Sequence, residues 1–225
     1  MTLNVVSRID HQVTVRNVLI SVSDKSGLQK LVTQLLDINP DIMFYSTGGT
    51  FNTIQGFLGQ KADAHLRQVS QYTGQPETQG GLVKTLDFKI YLGILTETYN
   101  TDHQQDLKRT QAVPLDMVVV NLYPFRQTIA KSGVTVEEAR GNIDIGGPCM
   151  IRASAKNYLR VASVVNPDDY GMIVAAMEAG GGKTSLELRF RLAQKAFLHT
   201  ADYDRMIADY LNKQSFADVS KCYQP

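Results

Sequence analysis

The sequence predicts an α/β fold, a three-layer sandwich with a mostly parallel central sheet. Three observations carry this. Apolar runs of strand length alternate with amphipathic stretches of helix length, which is the pattern of βαβ units. The runs Val18–Val22, Met117–Asn121 and Val161–Val165 are β-branched and nearly continuous, as expected for strands covered on both faces. The 225 residues, 43% hydrophobic and 20% charged, are enough for one large core and exclude a disordered chain.

The elements follow in order. The stretch up to Asn17 carries Asp10 and polar residues throughout, has no apolar signal core, and reads as a tail over 1–15. After the strand at Val18–Val22, Leu28, Leu31, Val32, Leu35 and Leu36 recur at helical spacing, giving a helix over Gly27–Leu36 with one apolar face. Ile42–Tyr45 is a shorter strand, and Val69 marks a fifth candidate. Beyond Met117–Asn121, Thr135 and Glu138 form a capping box, as do Thr184 and Glu187. The helix opening at Thr184 is expected to end near His199, with a second helix over Ala201–Leu211. The glycines between Ala179 and Lys183 read as a tight connection inside the domain. The expected division is a tail over 1–15, one domain over 16–199, and a C-terminal helix and tail over 200–225 packing on that domain.

Charge and composition exclude several classes of function. Lys and Arg number 23 against 22 Asp and Glu, so there is no broad basic face for nucleic acid or an anionic membrane. No stretch approaches the ~20 apolar residues of a membrane span. Cys149 and Cys222 form no CxxC pair and no disulfide framework, which points to a reducing, cytoplasmic setting. His11, His65, His103 and His199 lack ligand spacing, so no metal site is expected.

Ligands of open α/β sheets bind beyond the carboxyl ends of the strands, so the residues just after each run are the informative ones. Ser21, Ser23, Asp24, Lys25 and Ser26 follow the first strand. Ser46-Thr47-Gly48-Gly49-Thr50 follows the second and leads into a helix. Such a loop gathers backbone N–H groups and hydroxyls at the positive end of a helix, which suits a phosphate; it reads equally as a tight turn with an N-cap. It is neither a Walker loop nor a dinucleotide fingerprint. Asn121 and Tyr123 bring an amide and a phenol to the same rim, and Asp144 precedes Gly146 and Gly147, with Pro148 suited to a first helical turn. Arg152 and Lys156 then share a helix face. Taken singly, Asp144 reads as a cap and Lys156 as a solvated charge or dipole partner. Lys84 and Thr85 stand in an otherwise apolar stretch.

The segments SVSDKSGL, STGGT, VSQYTGQPE, GGLVKTL, VVNLYPF, NIDIGGPCMIRASAKN and LAQKAFLHTADYD run in the order found in the inosine monophosphate (IMP) cyclohydrolases. These form the N-terminal domain of a bifunctional purine-biosynthesis enzyme whose other half is AICAR transformylase. The chain resembles that family over about residues 16–211. The resemblance implies a methylglyoxal synthase-like fold, a cytoplasmic homodimer, and closure of formyl-AICAR, the formamidoimidazole-carboxamide ribotide, to IMP with loss of water. It implies no metal or organic cofactor, and a separate formyltransferase as a partner. Ring closure needs a carboxamide nitrogen to lose a proton while the formyl oxygen is stabilised, protonated and expelled. The resemblance puts Asp144 and Lys156 at the acid/base positions, with Lys84 and Tyr123 beside the reacting groups. Ser23, Lys25, Thr47, Gly48, Gly49 and Thr50 match the phosphate site, and Thr85, Asn121, Ile145 and Gly146 the base and ribose site.

The sequence departs from the family pattern at identifiable positions. Leu82 stands where the family has an arginine, Leu86-Asp87-Phe88 replaces Leu-His-Pro, and Tyr91-Leu92-Gly93-Ile94-Leu95 replaces His-Gly-Gly-Ile-Leu. An apolar side chain cannot imitate a charged donor, so one rival expectation is a homologue acting on a related imidazole nucleotide. Another is a non-catalytic nucleotide sensor, like the regulatory domain of carbamoyl-phosphate synthetase. The connection from Thr50 to Val69 is longer than usual, and the chain reaches Pro225 without a transformylase domain, so a standalone cyclohydrolase is expected.

Overall fold

A computed structural model describes residues 5–75 and 85–224. In chain order it contains β1 (Gln12–Thr14), β2 (Asn17–Val22), α1 (Leu28–Ile38), β3 (Met43–Ser46), α2 (Gly48–Leu58), α3 (Ala62–His65), β4 (Leu66–Gln68) and α4 (Val69–Thr73). After the undescribed stretch come α5 (Phe88–Leu95), α6 (Thr101–Thr110), β5 (Met117–Asn121), α7 (Phe125–Ile129), α8 (Val136–Gly141) and α9 (Gly146–Lys156). The chain ends with β6 (Ala162–Val164), α10 (Tyr170–Ala179), β7 (Lys183–Ser185), α11 (Leu186–Asn212) and α12 (Phe216–Ser220).

The strands β4-β3-β2-β5-β6 form one parallel sheet, with Val18 opposite Met117 and Phe44 opposite Leu66. Alternate residues of each central strand feed different layers, as the two-residue period of a strand requires. Val18, Ile20, Met117 and Val119 pack with α1, α2 and α10. Leu19, Val118 and Val120 pack with α5, α9 and α11. The expected three-layer α/β sandwich is therefore observed.

Three boundaries differ from expectation. Val69 is not a strand: β4 ends at Gln68 and Val69 opens α4. The last long helix starts after Ser185, whose hydroxyl accepts the N–H of Leu188, while Thr184 belongs to β7. That helix does not break after His199; Thr200 is buried and its hydroxyl bonds back to the Phe197 carbonyl, so α11 runs unbroken for 27 residues across the expected boundary. The expected N-terminal tail also contributes structure, because β1 pairs antiparallel with β7.

The base of the sheet is pinned by a buried ion pair. Asp116, just before β5, accepts the N–H groups of Arg16 and Asn17 at 2.9 and 3.0 Å and the Arg160 guanidinium at 2.8 Å. Arg160 also donates to the carbonyls of Gly93, Thr96 and Leu115. Four separate segments thus meet on two side chains. Removing one member leaves the other charge buried without its partner, so Asp116→Ala should cost about 3–5 kcal/mol of stability. Equilibrium urea unfolding would measure it, as a lower midpoint with an unchanged slope.

Candidate active site

The strand order reverses between β2 and β5, where the chain first builds outward to β3 and β4 and then returns to the other side. Carboxyl ends of strands at such a switch point leave a crevice. The residues following β2 and β5 are held across it by Asn121. Its carboxamide oxygen accepts the N–H groups of Ser23 and Asp24 at 2.7 and 2.8 Å, and its nitrogen donates to the Asp24 carbonyl at 2.8 Å. Lys25 is exposed on this loop, its ammonium 3.5 Å from the Ser23 carbonyl.

Beside that loop, β3 delivers Ser46 and Thr47 to the start of α2. The Ser46 hydroxyl donates to the Ile20 carbonyl. Thr50 is buried, and its hydroxyl both accepts the Val22 N–H at 3.2 Å and donates to the Val22 carbonyl at 3.0 Å. The Thr50 hydroxyl is therefore engaged with β2. What faces the crevice is Thr47, 3.3 Å from the Ser21 hydroxyl, and the first turn of α2 at Gly48 and Gly49. A first helical turn lacks intrahelical partners for its N–H groups. Gly48 has φ +46°, which a residue with a Cβ rarely adopts, and a Cβ at Gly49 would meet nothing within 4 Å.

The opposite wall is the turn into α9. The Asp144 carboxylate accepts the Gly147 N–H at 2.9 Å, and its own N–H is accepted by the Tyr203 hydroxyl at 2.9 Å. Burial raises the proton affinity of this carboxyl above the usual carboxylate range, opposed by the N–H groups of Gly147 and Tyr123. Gly147 is required by close approach, since a Cβ there would lie 2.6 Å from both the Asp144 carboxylate and Leu122. A Cβ on Gly146 would lie 2.7 Å from the Thr85 hydroxyl, so Thr85, buried, abuts the same turn. Tyr123 and Ile145 are exposed on the rim.

The contacts tie Ser23, Lys25, Thr47 and Asn121 together around the end of β2, and Tyr123, Asp144, Gly146 and Thr85 together at the turn into α9, the two sets adjoining along the chain between Asn121 and Tyr123. Lys156 is exposed at the last position of α9, while Asp144 lies just before the first, so at ~1.5 Å rise per residue their main chains stand about 15 Å apart. Lys84 and Leu82 lie outside the described residues.

Two departures from the family pattern acquire local reasons. Asp87 is the N-cap of α5, its carboxylate accepting the Lys89 N–H at 2.7 Å. Tyr91 turns its hydroxyl into the protein beside Cys149.

A cavity of about 500 Å³ adjoins the rim and shares Asp24, Asn121 and Tyr123 with it. Its far wall is α11, through Lys195, Leu198, His199, Asp202 and Tyr203. These residues had no expected role, although the segment LAQKAFLHTADYD that carries them stands out in the sequence. Burial pushes the His199 imidazole toward its neutral form. Among the described residues no group of three or more His, Cys, Asp or Glu could hold a metal ion, and no helix is long and apolar enough to cross a membrane.

The MGS-like domain family model matches residues 27–149, and the AICARFT/IMPCHase bienzyme model matches residues 154–224. Bifunctional purine biosynthesis protein PurH of Synechococcus sp. (strain CC9605) is 45% identical over 199 residues, covering 88% of this chain and 37% of the relative. The protein of the same name from Acetivibrio thermocellus is 44% identical over 202 residues, covering 89% and 37%. The chain spans little more than a third of the length of these curated relatives. The crystal structure of ForH superposes with a TM-score of 0.72 at 28% identity, covering 88% of this chain and 97% of that one.

Because the Thr50 hydroxyl serves β2, Thr50→Val should cost about 1–3 kcal/mol of folding stability by leaving both Val22 main-chain groups without a partner. Urea midpoints would show the loss, and a nucleotide titration of the folded variant should show a smaller fractional change.

Proposed function

The chain belongs to the MGS-like domain family, whose model spans more than half of it, and from this premise we propose that it closes formyl-AICAR to inosine monophosphate. The observation that carries the proposal is Asp144. It is a half-buried carboxylate with raised proton affinity, held by the Gly147 N–H at the turn into α9. A sensor needs only an anion cradle. A carboxyl whose environment moves it toward neutral pH is what proton transfer requires. The similarity to PurH proteins supports the purine substrate.

In this reading the ribotide phosphate rests on the amides of Gly48 and Gly49, the Thr47 hydroxyl and the Lys25 ammonium, with the positive end of α2 behind it. The ring system extends past Asn121 toward Tyr123 and Asp144. The carboxamide nitrogen forms a bond to the formyl carbon and gives one proton to the Asp144 carboxylate. The formyl oxygen becomes a hydroxyl, with the Tyr123 phenol as donor. That hydroxyl leaves as water, taking the proton that the formamido nitrogen gives up as the C=N bond forms, and the proton held on Asp144 returns to the Tyr123 phenolate. Lys84, from the family resemblance, completes the set beside the reacting amide. A homodimer in the cytoplasm, supplied by a separate formyltransferase, is part of the same proposal.

Incubation with formyl-AICAR, followed by the ultraviolet absorbance of the product, tests the assignment. Asp144→Asn should lower kcat by roughly 10²-fold or more while leaving nucleotide affinity little changed. With the carboxylate as base and its pKa raised by burial, kcat of the parent should fall as pH drops through that raised value, so the acid limb lies above the ordinary carboxylate range. Parental turnover in Asp144→Asn would remove Asp144 from the mechanism.

A further inference from the structure

We infer that Tyr203, on α11, is a positioning residue that staples the Asp144 turn in its working conformation. The inference rests on the reading of Asp144 as the acid/base group. The phenol oxygen accepts the Asp144 N–H at 2.9 Å and donates its proton to the Asn142 carbonyl at 3.4 Å. One hydroxyl therefore bridges both ends of a three-residue bend, and it does so from an element 59 residues away in sequence.

The ring carrying that hydroxyl is itself fixed. Tyr203 is 6% exposed and packs edge-on against Phe125, with ring centroids 6.2 Å apart. Phe125 meets Tyr210 of the same helix on a second contact at 5.8 Å. Two rings seven residues apart on α11 thus hold Phe125, at the start of α7, between them. The oxygen is placed by aromatic packing on one side and receives the bend on the other.

The carboxylate needs such support. It is held by the N–H groups of Gly147 and Tyr123, but neither bond fixes the main chain of the bend on the side facing α11. Without the Tyr203 oxygen the Asp144 N–H loses its hydrogen-bond acceptor among the described residues, and the bend can move toward solvent. A displacement of about 1 Å in an acid/base group costs up to 10²-fold in rate, without needing to alter substrate binding. α11 would then be part of the catalytic apparatus although it contributes no group to the reacting atoms.

The experiment compares the parent with Tyr203→Phe, which keeps the ring and its contacts, and Tyr210→Phe, which removes a hydroxyl from the same helix at a residue not bonded to the bend. Tyr203→Phe should lower kcat by about 10- to 100-fold with KM within about twofold. The acid limb of its pH profile should move down, because a more hydrated carboxyl has a lower pKa. Hydrogen exchange should find the Asp144 amide protected in the parent and in Tyr210→Phe, and unprotected in Tyr203→Phe. A Tyr203→Phe protein with a lower melting temperature but parental kcat and pH profile would overturn the inference, since that is what a merely structural tyrosine gives. Free exchange of the Asp144 amide in the parent would overturn it as well, without any variant. If the parent fails to turn over formyl-AICAR, the proposed reaction falls; the exchange measurement still tells whether Tyr203 holds the turn.

Discussion

A single carboxamide holds the two halves of the site together. At the end of β2 the chain leaves for α1 on one face of the sheet, and at the end of β5 it leaves for α7 on the other. Two parallel strands that part in this way would leave their following loops with unpaired main-chain groups. Asn121 answers with three bonds to Ser23 and Asp24, which uses both lone pairs of its oxygen and one of its two N–H groups. Expected to touch base and ribose, it is first the clip that sets the width of the crevice. A substrate contact through it can use only the remaining N–H.

The helix α9 links the rim to the base of the sheet. Its first turn closes around Asp144, and just past its last turn Asn157 donates to the carbonyls of Ile94 and Thr96 while Arg160 meets Asp116. The segment NIDIGGPCMIRASAKN is continuous in sequence, yet it serves two ends of the molecule. Its Gly-Gly pair belongs to the carboxylate and its final Asn157 to the buried polar anchor of the base. Rigidity at the base is then transmitted along α9 to the place where a displacement would matter most for proton transfer.

Much of the fold was legible because its signals are local. Continuous β-branched runs identified the central strands, and the spacing of Leu28 to Leu36 identified α1, since burial on the sheet imposes both patterns. The break expected in α11 was wrong for a reason of context: Thr200 is a weak helix former by propensity, but here it is buried in the face formed by Ala196 and Tyr203. At the site, the rule about strand ends points to the residues after β2, β3 and β5. It could not tell that Ser46 and Thr50 turn their hydroxyls inward, because each depends on a partner distant in sequence. Tyr203 was invisible for the same reason, 59 residues from the turn it bonds.

The loop from β3 into α2 shows what that inward turn accomplishes. Of the hydroxyls in Ser46-Thr47-Gly48-Gly49-Thr50, those of Ser46 and Thr50 bond to the main chain of β2 and fix the loop to the sheet. Thr47 keeps its hydroxyl toward Ser21, and the two glycines present backbone without side chains. An anion would therefore meet main-chain donors already in position, whose ordering was completed when the sheet formed. Binding then loses little side-chain entropy at the moment of contact, and Lys25, exposed and attached to the Asn121-held loop, supplies the mobile charge. The side chains that look most like ligands in the sequence build the site, and the backbone between them is what a ligand would touch.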